Sequence, residues 1–536
     1  MARRTPRARR PLHATAMLLG LLLVLTACVD GGGDATPVAN EPADPTDPTE
    51  SPTTGFEIPL GEPGPTAYAH LQAYLDVIVE PAHFDECLTT DPDTEWYKCL
   101  PGPRTGSGLG HQVHRWAADQ FRRIDGLEHI QEQPFGFPIF KPRNYELTVS
   151  LADGSTYRPA VFPWYFQGVT PPQGVSGDLV DLGGGSLLDR LAAGDVSGKV
   201  IIFTARQVLN AATVGAQQAL DWAAEQGAIG AIVAVEGPSN ELVAQNYNTF
   251  EGPRSLPTLI VGEFDGQRLV ELAGQPAQLV VDADIAEPGP DGYSSNSYAF
   301  LPGVNRDQFL VIGTPVNGWF TVGSERGPGV GGLIYLARYL ADRVRREGPL
   351  PYTVVFTFTG AHEMMGFGQE RVLQCLGPER VATYVHLGAG LASRGYIERQ
   401  GEPMPTGLPA TQRALVISEN PLLETATLAA FADVIATQAL TVSPGGVFNP
   451  GETQAAYALQ IPTLGISGAG LFHHSPADTI DKLSLDYLAP VIESYRDLVD
   501  RLLDSDPNSL RNANAVADAL AGDPIGYSCP GPITTP

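Results

Sequence analysis

Cations are scarce in this 536-residue chain: 33 Lys and Arg stand against 60 Asp and Glu, a formal charge of −27. Five of the arginines fall in the first ten residues, so removal of that segment leaves the remainder nearer −32. A surface of that sign repels phosphate backbones and anionic lipid, so no nucleic-acid partner is expected; solubility outside the cell is its simplest use. Cysteine is scarce as well, five in all, and no C-x-x-C occurs, which leaves thiol-redox and zinc-ribbon chemistry without support. No internal repeat is visible. Glycine and proline are plentiful, 59 and 47, and predict many turns and at least one linker. The length suggests several domains.

The N-terminus, "MARRTPRARRPLHATAMLLGLLLVLTAC", has a basic segment, an apolar segment too short for a comfortable membrane span, and small residues before a cysteine. That layout predicts a signal peptide over residues 1–27, and "LTAC" resembles a bacterial lipobox. Cys28 is then the lipidated first residue, and the protein is expected at the outer face of the cell membrane. Residues 28–64, rich in Pro, Thr and acid, read as a disordered tether. The other cysteines are Cys87, Cys99, Cys375 and Cys529, and an even number in an exported chain suggests two disulfides. Cys87–Cys99 closes a short loop and is the simplest pairing; Cys375–Cys529 would then tie down the tail, residues 506–536.

Residues 65–156 carry two helical patterns, "TAYAHLQAYLDVIVEPA" and "HQVHRWAADQFRRI". Residues 157–289 read as a separate β-rich module with one helix, "AATVGAQQALDWAAEQG". Its strand-like runs include "GKVIIFTAR", "AIGAIVAVEG" and "SLPTLIVGEFDGQRLVELAG". Residues 290–505 alternate strand and helix, as in "YTVVFTFTG" followed later by "ATYVHLG". This predicts an α/β class with a mixed, mostly parallel sheet and helices on both faces. In such sheets ligands gather outside the carboxyl ends of the strands. Glu325, His362-Glu363 and His473-His474 fall near such ends or in the loops beside them.

Several motifs fail on inspection. His362-Glu363 begins H-E-x-x-H, but position 366 is Gly, so the helical two-histidine zinc site is excluded. "GPGVGG", residues 327–332, satisfies G-x-G-x-x-G but stands more than ten residues beyond the preceding strand, which excludes the dinucleotide-binding turn. "GISGA", residues 465–469, lacks the last glycine of a nucleophile elbow, and "GVSGD" fails in the same way.

"HSPADTIDK", His474 to Lys482, closely resembles the terminal motif of the zinc exopeptidases of metallopeptidase family twenty-eight. "GAHEMMGFG" resembles that family's Gly-Ala-Glu-Glu element, and "GPGVGGLIYLAR" its helix start after a bridging aspartate. Residues 157–289 are similar to the protease-associated domain often inserted in the family. The resemblance covers most of residues 65–505 and implies the zinc-exopeptidase fold. It also implies two zinc ions, held by five ligands, and a general-base glutamate. Carried onto this chain, it places the bridging carboxylate at Glu325, the base at His362, a ligand at Glu363 and the late ligand at His474. The other two ligand positions hold Pro315 and Gly388 and are lost; Asn317 and Asp478 occupy supporting positions. His473 and His386 read as structural histidines.

Two expectations follow. One is a catalytically degenerate exopeptidase, without zinc, that binds peptides or a protein partner. The alternative is a hydrolase using one zinc on Glu325, Glu363 and His474, with His362 as base.

Overall fold

The computed structural model describes residues 58–79, 87–206, 211–246, 253–364, 366–399, 402–444 and 452–512. The leading segment, Cys28 and Cys529 lie outside the described residues. Cys87 and Cys99 form a disulfide, with their Cα atoms 4.1 Å apart, and Cys375 is disulfide-bonded as well.

Two eight-stranded sheets organise residues 58–512. The first runs in the order Glu128–Gly136, Tyr293–Leu301, Leu350–Thr359, Gly303–Pro315, Val381–Leu387, Thr463–Gly468, Arg413–Ile417 and Thr441–Pro444. Its four central strands, Leu350–Thr359 through Thr463–Gly468, are parallel. Antiparallel partners flank them on both sides. The β-branched and aromatic run at 352–358 is buried throughout, as expected of a strand covered on both faces.

The period of two divides those side chains between two cores. Leu310, Ile312, Val354 and Phe356 join the helices Pro63–Val79, Gly327–Glu347 and Leu485–Leu503 on one face. Phe309, Val311 and Val355 join Val372, Leu373 and Ala456 of the helices Phe367–Leu376 and Glu452–Ala458 on the other. The mixed sheet with helices on both faces is as read from the sequence. The glycines of "GPGVGG" serve close approach here. A Cβ on Gly331 would meet the Ala67 carbonyl at 2.1 Å, and one on Gly329 the Leu387 carbonyl at 2.7 Å.

The second sheet gathers strands between Ile139 and Ala286. It takes in Ile139–Ser150, paired antiparallel with Pro276–Ala286, and so starts before residue 157. It also differs from the sequence reading at "SLPTLIVGEFDGQRLVELAG". Only Thr258–Gly262 is strand there, and Glu263–Glu271 is helix, with Glu263 and Asp265 in the first turn, where the helix dipole favours acid. One face of this sheet shares a core with Trp319, Phe320 and Met364 from loops of the first sheet and with Phe367, which opens the helix Phe367–Leu376. The second sheet therefore packs against the end of the first where the parallel strands finish.

Candidate active site

Loops leave the carboxyl ends of the four parallel strands and meet at one place. The loop after Gly303–Pro315 carries Glu325 and Arg326, and that after Leu350–Thr359 carries His362 and Glu363. The strand Val381–Leu387 brings His386, and the loop after Thr463–Gly468 brings His473, His474 and Asp478. Three of these loops contain a non-glycine residue at positive φ: Val322 at 50°, Ala361 at 53° and His474 at 61°. Such backbone costs about 1–3 kcal/mol per residue and persists only where surrounding structure enforces it.

His474 Nε2 lies 3.2 Å from Glu325 Oε1 and 3.4 Å from Glu363 Oε2. Its Nδ1 is 3.2 Å from the Ala244 carbonyl, and the Ala244 N–H donates to the His474 carbonyl. A loop of the second sheet thus fixes the ring so that Nε2 faces the carboxylates. Burial alone would lower the His474 pKa, but Glu325 and Glu363 outweigh it and raise it.

Arg326 fills the centre of the site. Its side chain is 1 % exposed, and Nη2 lies 2.6 Å from Glu325 Oε1 and 2.8 Å from Glu363 Oε1. Its Nε donates to the Asn317 carbonyl at 3.2 Å. Burial would raise the Glu325 carboxyl, but Arg326 and the two histidines hold it well below the usual carboxylate range. Asp478 braces the loop from beneath: it accepts from the Ser324 N–H at 3.1 Å, the Ser324 hydroxyl at 2.5 Å and the Glu325 N–H at 3.0 Å. Burial and the neighbouring Glu325 push the Asp478 carboxyl up to about 7, against the pull of those donors. Asn317 points away from the carboxylates. Its Oδ1 is 3.0 Å from His114 Nε2, and its amide donates to the Pro103 carbonyl.

The lost ligand positions are occupied otherwise. Pro315 pairs with Thr359 inside the sheet. A Cβ on Gly388 would stand 2.6 Å from His386 Nε2 and 2.4 Å from the Ile466 carbonyl, so His386 takes the room a side chain there would need. His386 Nε2 faces Glu452 Oε2 at 3.8 Å, and the other oxygen of Glu452 is 2.6 Å from His362 Nδ1. Burial would raise the Glu452 carboxyl, but His362, His386 and Arg326 bring it down to about 2. His362, at the base position, is thus tied to Glu452, with Nε2 3.9 Å from Glu363 Oε2.

The residues do not fit a two-zinc centre, because Pro315 and Gly388 offer no donor. For one zinc two of the spacings are suitable. Ligand atoms about 2 Å from a tetrahedral ion stand roughly 3.3 Å apart, as His474 Nε2 does from Glu325 Oε1 and from Glu363 Oε2. Among the described residues, ligand atoms of Glu325, His473 and His474 lie within 4.8 Å of one another. Both Glu325 oxygens, Glu363 Oε2 and His474 Nε2 are buried without a directed hydrogen bond. The charge is unsuitable. An ion at bonding distance from Glu325 Oε1 would sit no more than roughly 4.6 Å from the Arg326 nitrogen. The repulsion there is roughly 7 kcal/mol at an effective dielectric constant of about 20.

Sequence reasoning brought Glu325, Glu363, His362, His474 and Asp478 to one place. It missed Arg326, Glu452 and the donor position of His473. A basic residue directly after Glu325 in a glycine-rich loop was the available signal for Arg326; no motif marked Glu452, which lies far along the chain.

No protein-family model matches the chain, and no curated protein matches it in sequence. Solved structures do match it. One is a zinc aminopeptidase from Bacillus subtilis, with 15% identity over 86% of this chain and 98% of that one, TM-score 0.60. A peptidase precursor of family twenty-eight from Shewanella amazonensis gives 16%, 83%, 98% and 0.58. An aminopeptidase from Aneurinibacillus sp. strain AM-1 gives 18%, 81%, 93% and 0.54. At such identities the likeness is one of fold, and the fold of this chain is that of the zinc exopeptidases.

Proposed function

We propose that this chain is an exported, lipid-anchored protein of the zinc-aminopeptidase fold that binds a peptide or protein partner and has lost peptidase turnover. One observation carries the reading: Gly388 has no space for a ligand side chain, because His386 and the Ile466 carbonyl already stand there. With Pro315 at the other lost position, the ion that would share the activation of water has no protein ligands of its own.

Beside Glu363 lies a cavity of about 10 Å³, walled by Phe140, Tyr165, Trp319 and Met364, which is about the space of one water. Ligand-sized room lies further out, past Arg104 and Tyr165, in a pocket of about 450 Å³. Its walls combine aromatic rings, Tyr145 and Phe162 among them, with the cations Lys98, Arg104 and Lys141, a combination suited to the apolar side chains and carboxylates of a peptide. The second sheet is read here as a protease-associated module that walls this pocket.

The test is turnover of aminoacyl substrates with zinc supplied, together with metal analysis of the purified protein. The expected result is neither turnover nor stoichiometric zinc; both together would sink the reading. The convergence of Glu325, Glu363 and His474 favours a second reading, a one-zinc hydrolase. It fails if Glu363→Ala and His474→Ala leave the metal content unchanged.

A further inference from the structure

The position of Arg326 has a consequence beyond lost turnover. A neutral side chain at 326 would leave Glu325 and Glu363 as two buried carboxylates facing His474, an arrangement that demands a cation. Arg326 meets that demand from within the chain. One nitrogen touches both carboxylates, at 2.6 and 2.8 Å, and the Asn317 carbonyl holds its Nε. The strained Val322 lies in the same loop, and Arg326 donates its own N–H to the Val322 carbonyl at 3.1 Å. Guanidinium does not lose its proton in proteins, so the charge is permanent.

We infer that Arg326 is a built-in replacement for the metal ion: it neutralises Glu325 and Glu363, holds the site loops together without zinc, and bars a divalent cation from Glu325, Glu363 and His474. This rests on the degenerate reading of the site. It adds a specific claim, that one substitution converts the site into a zinc-binding one.

The experiment measures zinc affinity by calorimetry and melting temperature in zinc and in EDTA, for the purified wild-type protein and three variants. Arg326→Gln is expected to bind zinc at least 100-fold more tightly than wild type. It should melt below wild type in EDTA and recover in zinc, whereas wild type melts alike in both. Arg326→Lys keeps the charge and is expected to exclude zinc as wild type does. Arg326→Gln combined with Glu363→Gln removes one of the unpaired charges and is expected to regain part of the melting temperature in EDTA. Equal zinc affinity for wild type and Arg326→Gln, or an Arg326→Gln protein as stable as wild type in EDTA, overturns the inference. If Arg326→Gln does not fold, failure of the double variant to fold also overturns it. Stoichiometric zinc and turnover in wild type would overturn the degenerate reading, and this inference with it. Absence of zinc in both wild type and Arg326→Gln overturns this inference alone.

Discussion

Glu452→Gln isolates the charge that stands between His362 and His386. Glutamine keeps the shape and one acceptor oxygen, so the change removes the charge facing His362 and His386. Two routes give the expected cost. The Glu452 carboxyl is brought from 4.5 to about 2 in the fold, a difference worth about 3 kcal/mol at neutral pH. Breaking a buried ion pair by removing one partner costs about 3–5 kcal/mol in other proteins. The sign follows from the depressed folded value: the contribution of the Glu452 charge fades as pH falls from the unfolded carboxyl pKa toward 2, so measurement at pH 7.5 keeps the carboxyl ionised in both states. Urea unfolding at that pH is expected to show Glu452→Gln about 3 kcal/mol less stable. Adding His362→Gln should cost about 1–3 kcal/mol less than it does alone, because the two groups act as one unit. Wild-type stability for Glu452→Gln, or strict additivity with His362→Gln, would refute the view that this pair holds its part of the site together.

Four further outcomes are expected. Burial pushes the imidazoles of His70 and His114 down to about 3 and that of His386 down to about 4. Below pH 6.5 the unfolded chain therefore takes up protons that the folded one refuses. The unfolding free energy from urea titrations should be level above pH 7 and fall toward pH 5 by about 2 kcal/mol per histidine; an unchanged value contradicts this. Gly388→Ala should destabilise by about 1–3 kcal/mol, partly relieved by His386→Ala, and a neutral effect on unfolding would show that the site has spare room. Replacing Cys87 and Cys99 by serine opens a loop with sequence separation 12 and should cost about 3 kcal/mol in chemical denaturation. Cys28→Ser should move the protein from the membrane fraction to the medium; retention in the membrane fraction would remove the lipid anchor from the proposal.

The legible part of this molecule was the part set by local pattern. Buried β-branched runs such as "YTVVFTFTG" and the amphipathic run from Gly327 to Glu347 are strong signals, and they form a strand and a helix respectively. Where the pattern changed within a few residues, as at Gly262, a strand reading absorbed a helix. The exposed strand Glu128–Gly136 escaped notice because it contains little apolar periodicity. At the site, the residues marked by the motif around His474 and by the pair His362-Glu363 come together in the structure, since loops at strand ends are placed by topology. What filled the lost positions was not legible: His386, Glu452 and Arg326 act through distances between segments up to 126 residues apart, Arg326 and Glu452 being the extreme pair.

Those replacements are linked by charge rather than by sequence. A site stripped only of its ligands would bury Glu325 and Glu363 without a counter-ion, and desolvation would push them toward protonation or unfold the loops. Here three of the buried carboxylates face a protein cation or an imidazole: Glu325 has Arg326 and His474, Glu363 has Arg326 and His474, and Glu452 has His362 and His386. On the proposed reading, Arg326 and the imidazoles supply from within the chain the charge that the site loops need, and so those loops keep their shape. That shape is the wall of the neighbouring 450 Å³ pocket, whose lining residue Arg104 also borders the Glu363 cavity. On the proposed reading, neutralising Glu325 and Glu363 from within lets the pocket keep its wall without zinc.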